Sequence, residues 1–173
     1  MSDPAPGSRE HHHRRAAPAR VATWVLTVSD TRTLETDTSG ARIRALLEAA
    51  GHKVTAYSIL PDEPDLVRER VVQLIATGVE AVIVNGGTGL APRDTTYEAV
   101  AGLLDKRLDG FGELFRSLSY AEIGAAAMLS RAVAGVSGRT VIASLPGSSG
   151  AVELAMSKLL VPQLGHMVHL VRD

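Results

Sequence analysis

The chain has 173 residues, 45% of them apolar and 21% charged, with a formal net charge of −1. That is long enough and apolar enough to bury the core of one domain, and too near neutral to argue for nucleic acid or membrane binding by bulk electrostatics. Cysteine is absent, which excludes disulfides and thiolate chemistry and is compatible with a cytoplasmic protein.

Aromatics make up only 3% of the chain. A core of Val, Leu, Ile and Ala fits a parallel sheet covered by helices. No apolar run approaches the roughly 20 residues of a membrane span, and no signal-peptide pattern opens the chain. Residues 1–20 are Pro, Ala, Arg and His without periodicity and read as a disordered arm. Within it, His11, His12 and His13 stand beside Arg14 and Arg15 as a solvated tail or cloning remnant; metal binding is the alternative.

Residues 21–29 form the first predicted strand, ending in Ser29-Asp30-Thr31-Arg32. A polar quartet at a strand's carboxyl end lies on the ligand side of an open α/β sheet. Asp37-Thr38-Ser39-Gly40 opens a helix to Ala50, with Ile43, Leu46, Leu47 and Ala50 at helical spacing and Gly51 as its stop. Asp37 or Ser39 serves as the N-cap, and a helix N-terminus also attracts anions. A second strand, 53–60, ends in Pro61-Asp62-Glu63-Pro64, and a helix follows over 65–76. By residue type Asp62 is a turn or cap residue, yet it sits at another strand's carboxyl end.

Ala81-Val82-Ile83-Val84 has the length and β-branched content of a buried strand. Asn85-Gly86-Gly87-Thr88-Gly89 breaks it with a loop whose backbone N–H groups can approach phosphate, no Cβ standing in the way. Arg93 offers a guanidinium fork for phosphate and Asp94 a metal or proton ligand. A plain βα turn is the alternative for the glycines. Thr95 and Glu98 read as a capping box for a helix over 96–106.

Helices are then predicted over 109–118 and 121–129, and strands over 132–136 and 140–144 joined at Ser137-Gly138, a hairpin signal. Leu145-Pro146-Gly147-Ser148-Ser149-Gly150 leads into a helix over 151–160, so Pro146, Gly147 and Ser148 form a second strand–loop–helix junction suited to an anion, or a βα turn capped by Ser. A final helix spans 162–171, with His166 and His169 as surface or interface residues. Strands alternating with helices predict one domain over 21–173, a three-layer α/β/α sandwich with a mostly parallel sheet and a short hairpin. Right-handed crossovers gather the loops after Val28, Leu60, Val84 and Ser144 on one rim, a coherent anion and metal site.

From about Thr23 to its end the chain resembles the MogA/MoaB family of molybdenum cofactor biosynthesis proteins, seen also as the G domain of gephyrin-like proteins. The resemblance rests on Thr27-Val28-Ser29-Asp30, Asp37-Thr38-Ser39-Gly40, Gly86-Gly87-Thr88-Gly89, Gly110-Phe111-Gly112-Glu113, Ser130-Arg131-Ala132 with Gly135-Val136, and Leu145-Pro146-Gly147-Ser148. Length, the stretch 119–124 and Pro162-Gln163-Leu164 look more like the MoaB branch. The resemblance implies molybdopterin adenylyltransferase activity: molybdopterin and ATP give adenylyl-molybdopterin and pyrophosphate, with Mg²⁺.

The family's two essential aspartates fall on Asp62 and Asp94, which makes Asp62 a catalytic and metal-binding candidate instead of a turn residue. Ser29, Asp30, Ser39, Gly86, Gly87, Thr88, Gly89, Arg93, Pro146, Gly147 and Ser148 are the nucleotide- and substrate-binding candidates, with Ser148 toward the terminal phosphate of the pterin. The resemblance further implies a homotrimer or homohexamer and a molybdate-inserting partner protein. Two other readings remain open: a pterin carrier without turnover, and nucleotide hydrolysis as in CinA-like proteins, for which no dedicated water-activating motif is evident.

Overall fold

The computed structural model describes residues 20–172, so the expected arm, apart from Arg20, lies outside the described residues. Its strands are β1 (Ala22–Val28), β2 (Lys53–Leu60), β3 (Ala81–Asn85), β4 (Lys106–Arg107), β5 (Val133–Ser137) and β6 (Thr140–Leu145). They form a six-stranded sheet in the order β2-β1-β3-β6-β5-β4. The first four in that order run parallel; β5 is antiparallel to both β6 and β4.

Side-chain alternation assigns the two faces. Ile83, Val141 and Ala143 point into one cluster, Val82, Val84 and Ile142 into the other. The first cluster is covered by α1 (Thr38–Ala49), α4 (Asp109–Ile123), α5 (Ser149–Ala155) and α6 (Val161–Arg172). On the other face lie α2 (Pro64–Ala76) and α3 (Thr96–Ala101). In α2 the apolar stripe is Val67, Val71 and Leu74, all buried; this i, i+4, i+7 spacing presents one face, and each side chain contributes about 1.5–3 kcal/mol of transfer free energy. The structure is therefore the predicted three-layer sandwich.

The second half departs from the expected boundaries. The helix expected over 96–106 ends at Ala101. Beyond it, the Asp105 and Leu108 N–H groups donate to the Val136 and Ala134 carbonyls, drawing Lys106–Arg107 in as an edge strand. Gly135 makes this possible, because a Cβ there would be driven into the Lys106 carbonyl. The helix expected to end at Leu118 runs on to Ile123, where Gly124 (φ +61°) stops it. A 3₁₀ segment, Gly124–Leu129, replaces the separate helix expected there.

Between α5 and α6 the chain makes one π turn, Met156–Leu160, closed by the Val161 N–H on the Met156 carbonyl. Pro162 explains it: proline has no N–H for the Lys158 carbonyl, and the turn before it widens. The Ser157 hydroxyl bonds back to the Glu153 carbonyl at 2.6 Å.

Candidate functional site

From β1 the chain crosses to β2 on one side, while β3 lies on the other. The crevice beyond the carboxyl ends of β1 and β3 is therefore a topological switch point, where open α/β sheets bind ligands. A cleft of about 420 Å³ opens there, bounded by the ends of β1, β3 and β6. Its walls include Thr27, Ser29, Arg32, Ser39, Asn85, Gly86, Gly87, Thr88, Gly89, Asp94, Ser130, Arg131, Pro146 and Gly147.

Glycine is required at the two residues where β3 turns into the loop. Gly86 (φ +97°) lies so close to β1 that a Cβ would overlap the Val28 carbonyl oxygen. Gly87 (φ +61°) leaves no room for a Cβ beside the Thr96 hydroxyl, and that Cβ would lie 2.5 Å from Asp62 Oδ2. The loop and Asp62 are thus packed directly against each other.

Acidic groups gather on this side. Asp62 is half-buried, takes a 3.4 Å hydrogen bond from the Thr96 hydroxyl and donates its own N–H to Asp30 Oδ1 at 3.2 Å. Burial pushes the Asp62 carboxyl above its ordinary value, as do the charges of Asp94 and Asp30; the Thr95 N–H and Thr96 hydroxyl pull the other way without reversing it. Asp30 is paired with Arg93 at 2.7 Å, so the Arg93 fork expected for phosphate faces a carboxylate. Asp94 Oδ2 accepts from the Ala91 N–H at 3.1 Å within the loop.

The capping box expected at the start of α3 does not form. Thr95 makes no side-chain cap bond and its hydroxyl is buried without a partner. Glu98 turns instead to Arg131, a stronger partner than a backbone N–H. That arginine also donates to the carbonyls of Thr88 (2.8 Å), Gly89 (2.7 Å) and Asp94 (3.0 Å).

Beneath the cleft lies a buried polar network. Asp37 caps α1 by accepting the Gly40 N–H at 2.9 Å, and it also accepts the hydroxyls of Thr27 (2.5 Å), Ser39 (2.8 Å) and Tyr57. Burial alone would raise its carboxyl, but the Gly40 N–H and three hydroxyls together hold it below the ordinary 3.8. Burial and then the bond to Asp37 push the Tyr57 hydroxyl up to about 12. Asn85 joins this network to the cleft, bonding Ser39 at 2.9 Å and Thr27 at 2.8 Å.

Of the candidates named from sequence, Ser29, Ser39, Gly86, Gly87, Thr88, Gly89, Asp94, Pro146 and Gly147 line the cleft. Asp30, Asp62 and Arg93 stand immediately behind the glycine loop. Ser148 is exposed beside it and caps α5, accepting the Ala151 N–H at 3.3 Å. Thr27, Arg32, Asn85 and Arg131 were not among those candidates, although Arg131 lies in one of the motifs quoted above. His166 and His169, half-buried on α6, are not among its walls.

The donor set suits Mg²⁺, a cation commonly held by one or two carboxylates together with substrate phosphates. Asp94 on the cleft wall and Asp62 behind the glycine loop, whose carboxyl is raised first by burial and then by the charge of Asp94, fit such a cation. No group of three or more metal-ligating side chains occurs among the described residues, so Asp62 and Asp94 would hold it jointly with phosphate oxygens.

A switch-point crevice with a glycine loop and paired aspartates belongs to a recognisable class. The family described as "probable molybdopterin binding domain" matches residues 24–166, and the chain belongs to it. Molybdenum cofactor biosynthesis protein B of Halalkalibacterium halodurans is 54% identical over 160 residues, covering 90% of this chain and 93% of that protein. The crystal structure of a molybdenum cofactor biosynthesis protein B superposes with a TM-score of 0.87 at 52% identity, covering 90% of this chain and 98% of that one. The tungsten cofactor synthesizing protein MoaB of Pyrococcus furiosus gives 0.80 at 36% identity, over 91% and 100%. Among the described residues no helix is long and apolar enough to cross a membrane.

Proposed function

We propose that this protein acts in molybdenum cofactor biosynthesis by transferring the adenylyl group of ATP to molybdopterin. The observation that carries this reading is the meeting of Asp62 and Asp94 with the glycine loop at the switch point, where burial and the neighbouring charge of Asp94 disfavour a bare Asp62 carboxylate and favour a neutralising cation. A terminal phosphate oxygen of molybdopterin attacks the α-phosphorus of ATP, a new P–O–P bond forms, and the bond to pyrophosphate breaks. The attacking phosphate is already ionised, so the protein need supply no nucleophile and no general base.

Catalysis then consists of positioning and charge stabilisation. The backbone of 86–89 approaches the nucleotide phosphates, and Arg32 adds a positive charge at the cleft wall. Asp62 and Asp94 would hold Mg²⁺, which supplies charge neutralisation at the phosphates when bound. The loop at Pro146, Gly147 and Ser148 offers hydroxyl and N–H donors to the pterin phosphate. Measuring pyrophosphate release from ATP and Mg²⁺, with and without molybdopterin, tests the reading. Release that depends on molybdopterin is expected; tight molybdopterin binding with no release would make the protein a carrier.

A further inference from the structure

We propose that Arg131 is a positioning residue of this site: its guanidinium fixes the segment from Thr88 to Asp94, and with it the Asp94 carboxylate, instead of contacting the substrate's phosphates. The proposal rests on reading the cleft as a nucleotide site. An arginine on the wall of such a cleft ordinarily suggests a phosphate ligand. The donor count says otherwise. A guanidinium has five N–H groups, one on Nε and two on each Nη. Nε donates to the Thr88 carbonyl, and Nη2 donates to the carbonyls of Gly89 and Asp94. The Glu98 carboxylate grips both Nη atoms. Only one Nη1 hydrogen remains uncommitted, and the charge is already paired.

Besides Arg131, one side-chain pair ties this loop to the body of the domain, Arg93 with Asp30 at 2.7 Å, and a solvent-exposed ion pair of this kind holds weakly. The Ala91 N–H bonds Asp94 Oδ2 and the Asp94 N–H bonds the Ala91 carbonyl at 2.9 Å, both within the loop itself. At its base the Thr96 N–H donates to the Gly87 carbonyl at 2.9 Å. Between these, Arg131 reaches in from the segment just before β5 and ties three carbonyls to the body of the domain. The same face of Arg131 rests on Tyr97, 5.0 Å from the ring centroid, which limits the directions it can take. Arg32 is the opposite case: it is exposed, and its guanidinium donates only to the Thr36 carbonyl at 3.2 Å and has no carboxylate partner among the described residues. Arg32 is free to meet a phosphate, and Arg131 is not.

Hydrogen exchange on the full chain without ligand tests the clamp, and titration with ATP and Mg²⁺ tests its consequence. Arg131→Gln should speed exchange of the Ala91 and Asp94 amides by about tenfold or more while β3 and β6 exchange as in the wild type, and should weaken ATP binding about tenfold. Arg131→Lys should recover part of the loop's protection, since an ammonium still donates to carbonyls but cannot form the planar fork. Arg32→Gln should weaken ATP binding with loop exchange unchanged, a separation that a general loss of structure would not produce. Wild-type exchange at Ala91 and Asp94 in Arg131→Gln overturns the proposal, as does fast exchange with wild-type ATP affinity. Should Arg131→Gln fail to fold, Glu98→Gln is read in its place: faster loop exchange supports the clamp and unchanged exchange overturns it. A wild-type protein that binds no ATP rejects the adenylyl-transfer reading separately, because the exchange measurement needs no ligand.

Discussion

The loops that follow β3 and β6 meet across the cleft, yet they are built on opposite principles. The β3 loop is crowded and charged. Gly86 and Gly87 sit where no side chain fits, Asp62 and Asp94 lie against it, and one arginine binds three of its carbonyls. The β6 loop is short and carries no charge: Pro146 and Gly147 border the cleft, and Ser148 merely caps α5. Charge held under constraint suits a reacting phosphoryl group, whereas small neutral donors suit a group that must only be held. On the adenylyl-transfer reading proposed above, the chemistry belongs to the β3 side.

Breaking the β3 side should have the largest effect. Asp62→Asn and Asp94→Asn should each lower kcat for pyrophosphate release by on the order of 10²-fold, as loss of an electrostatic stabiliser does, with molybdopterin affinity little changed. Thermal melts should show a second signature for Asp62. Its folded value is raised, so ionisation opposes folding; stability from this group is highest below the unfolded value and declines as pH rises through the folded one. Asp62→Asn should therefore melt no lower than the wild type at neutral pH, and a marked drop in melting temperature would mean that the carboxylate is structural.

Gly87→Ala sharpens the contrast through the backbone. A Cβ at φ +61° against Thr96 and Asp62 should cost about 1–3 kcal/mol in denaturant unfolding and reduce turnover as Asp62 is displaced. Gly150→Ala, beyond the β6 loop, meets open space and should do neither. If the two variants unfold alike, the close approach at Gly87 carries no constraint.

Asp37 lies beneath both loops and should respond in the reverse sense to Asp62. Its folded value is depressed, so its stabilisation is fully present above the ordinary 3.8 and is lost as pH falls through the folded value. Asp37→Asn should cost about 2 kcal/mol at neutral pH, the scale of hydrogen bonds to a charged group, and should flatten the acid limb of a stability–pH curve. An unchanged acid limb would assign that limb to other carboxylates. The smallest effect belongs to the β6 side: Ser148→Asp should weaken molybdopterin binding several-fold by like-charge repulsion and leave ATP binding nearly intact. Equal loss of both ligands would instead report a disturbed loop.

Much of this was legible in the sequence because the first half of the chain obeys simple periodicities. The strands at Lys53–Leu60 and Ala81–Asn85 and the Asp37 cap follow from alternation, β-branched runs and capping chemistry. The second half is set by tertiary contacts that no local pattern records. Lys106–Arg107 is too short to show a period and becomes a strand only because β5 offers it carbonyls. Thr95 and Glu98 have the spacing of a capping box, but Glu98 meets a guanidinium 33 positions along the chain. The site role of Arg131 is hidden for the same reason: its motif is visible, but it meets the cleft loop through three backbone carbonyls, which carry no sequence signature. Asp37 shows its place at a helix N-terminus in the sequence, but nothing local shows that Tyr57 and Thr27 close over it.

The π turn at Met156–Leu160 also bears on how this chain tolerates change in length. A π turn holds one residue more than the α turn it replaces, so the continuous helical run from Ser149 to Arg172 carries a surplus residue at a known address. Loss of one residue there, together with replacement of the Pro162 that widens the turn, would tighten it to α-helix and leave Leu164 and Val168 facing the sheet. The same loss in α4 between Phe111 and Phe115 would swing Phe115 by about 100° around the helix axis relative to Phe111, so that the two could not both face the core. The two long helical stretches on one face of the sheet thus differ in mutational slack: one, with Pro162 replaced, can shed a residue without re-registering its buried stripe, and the other cannot.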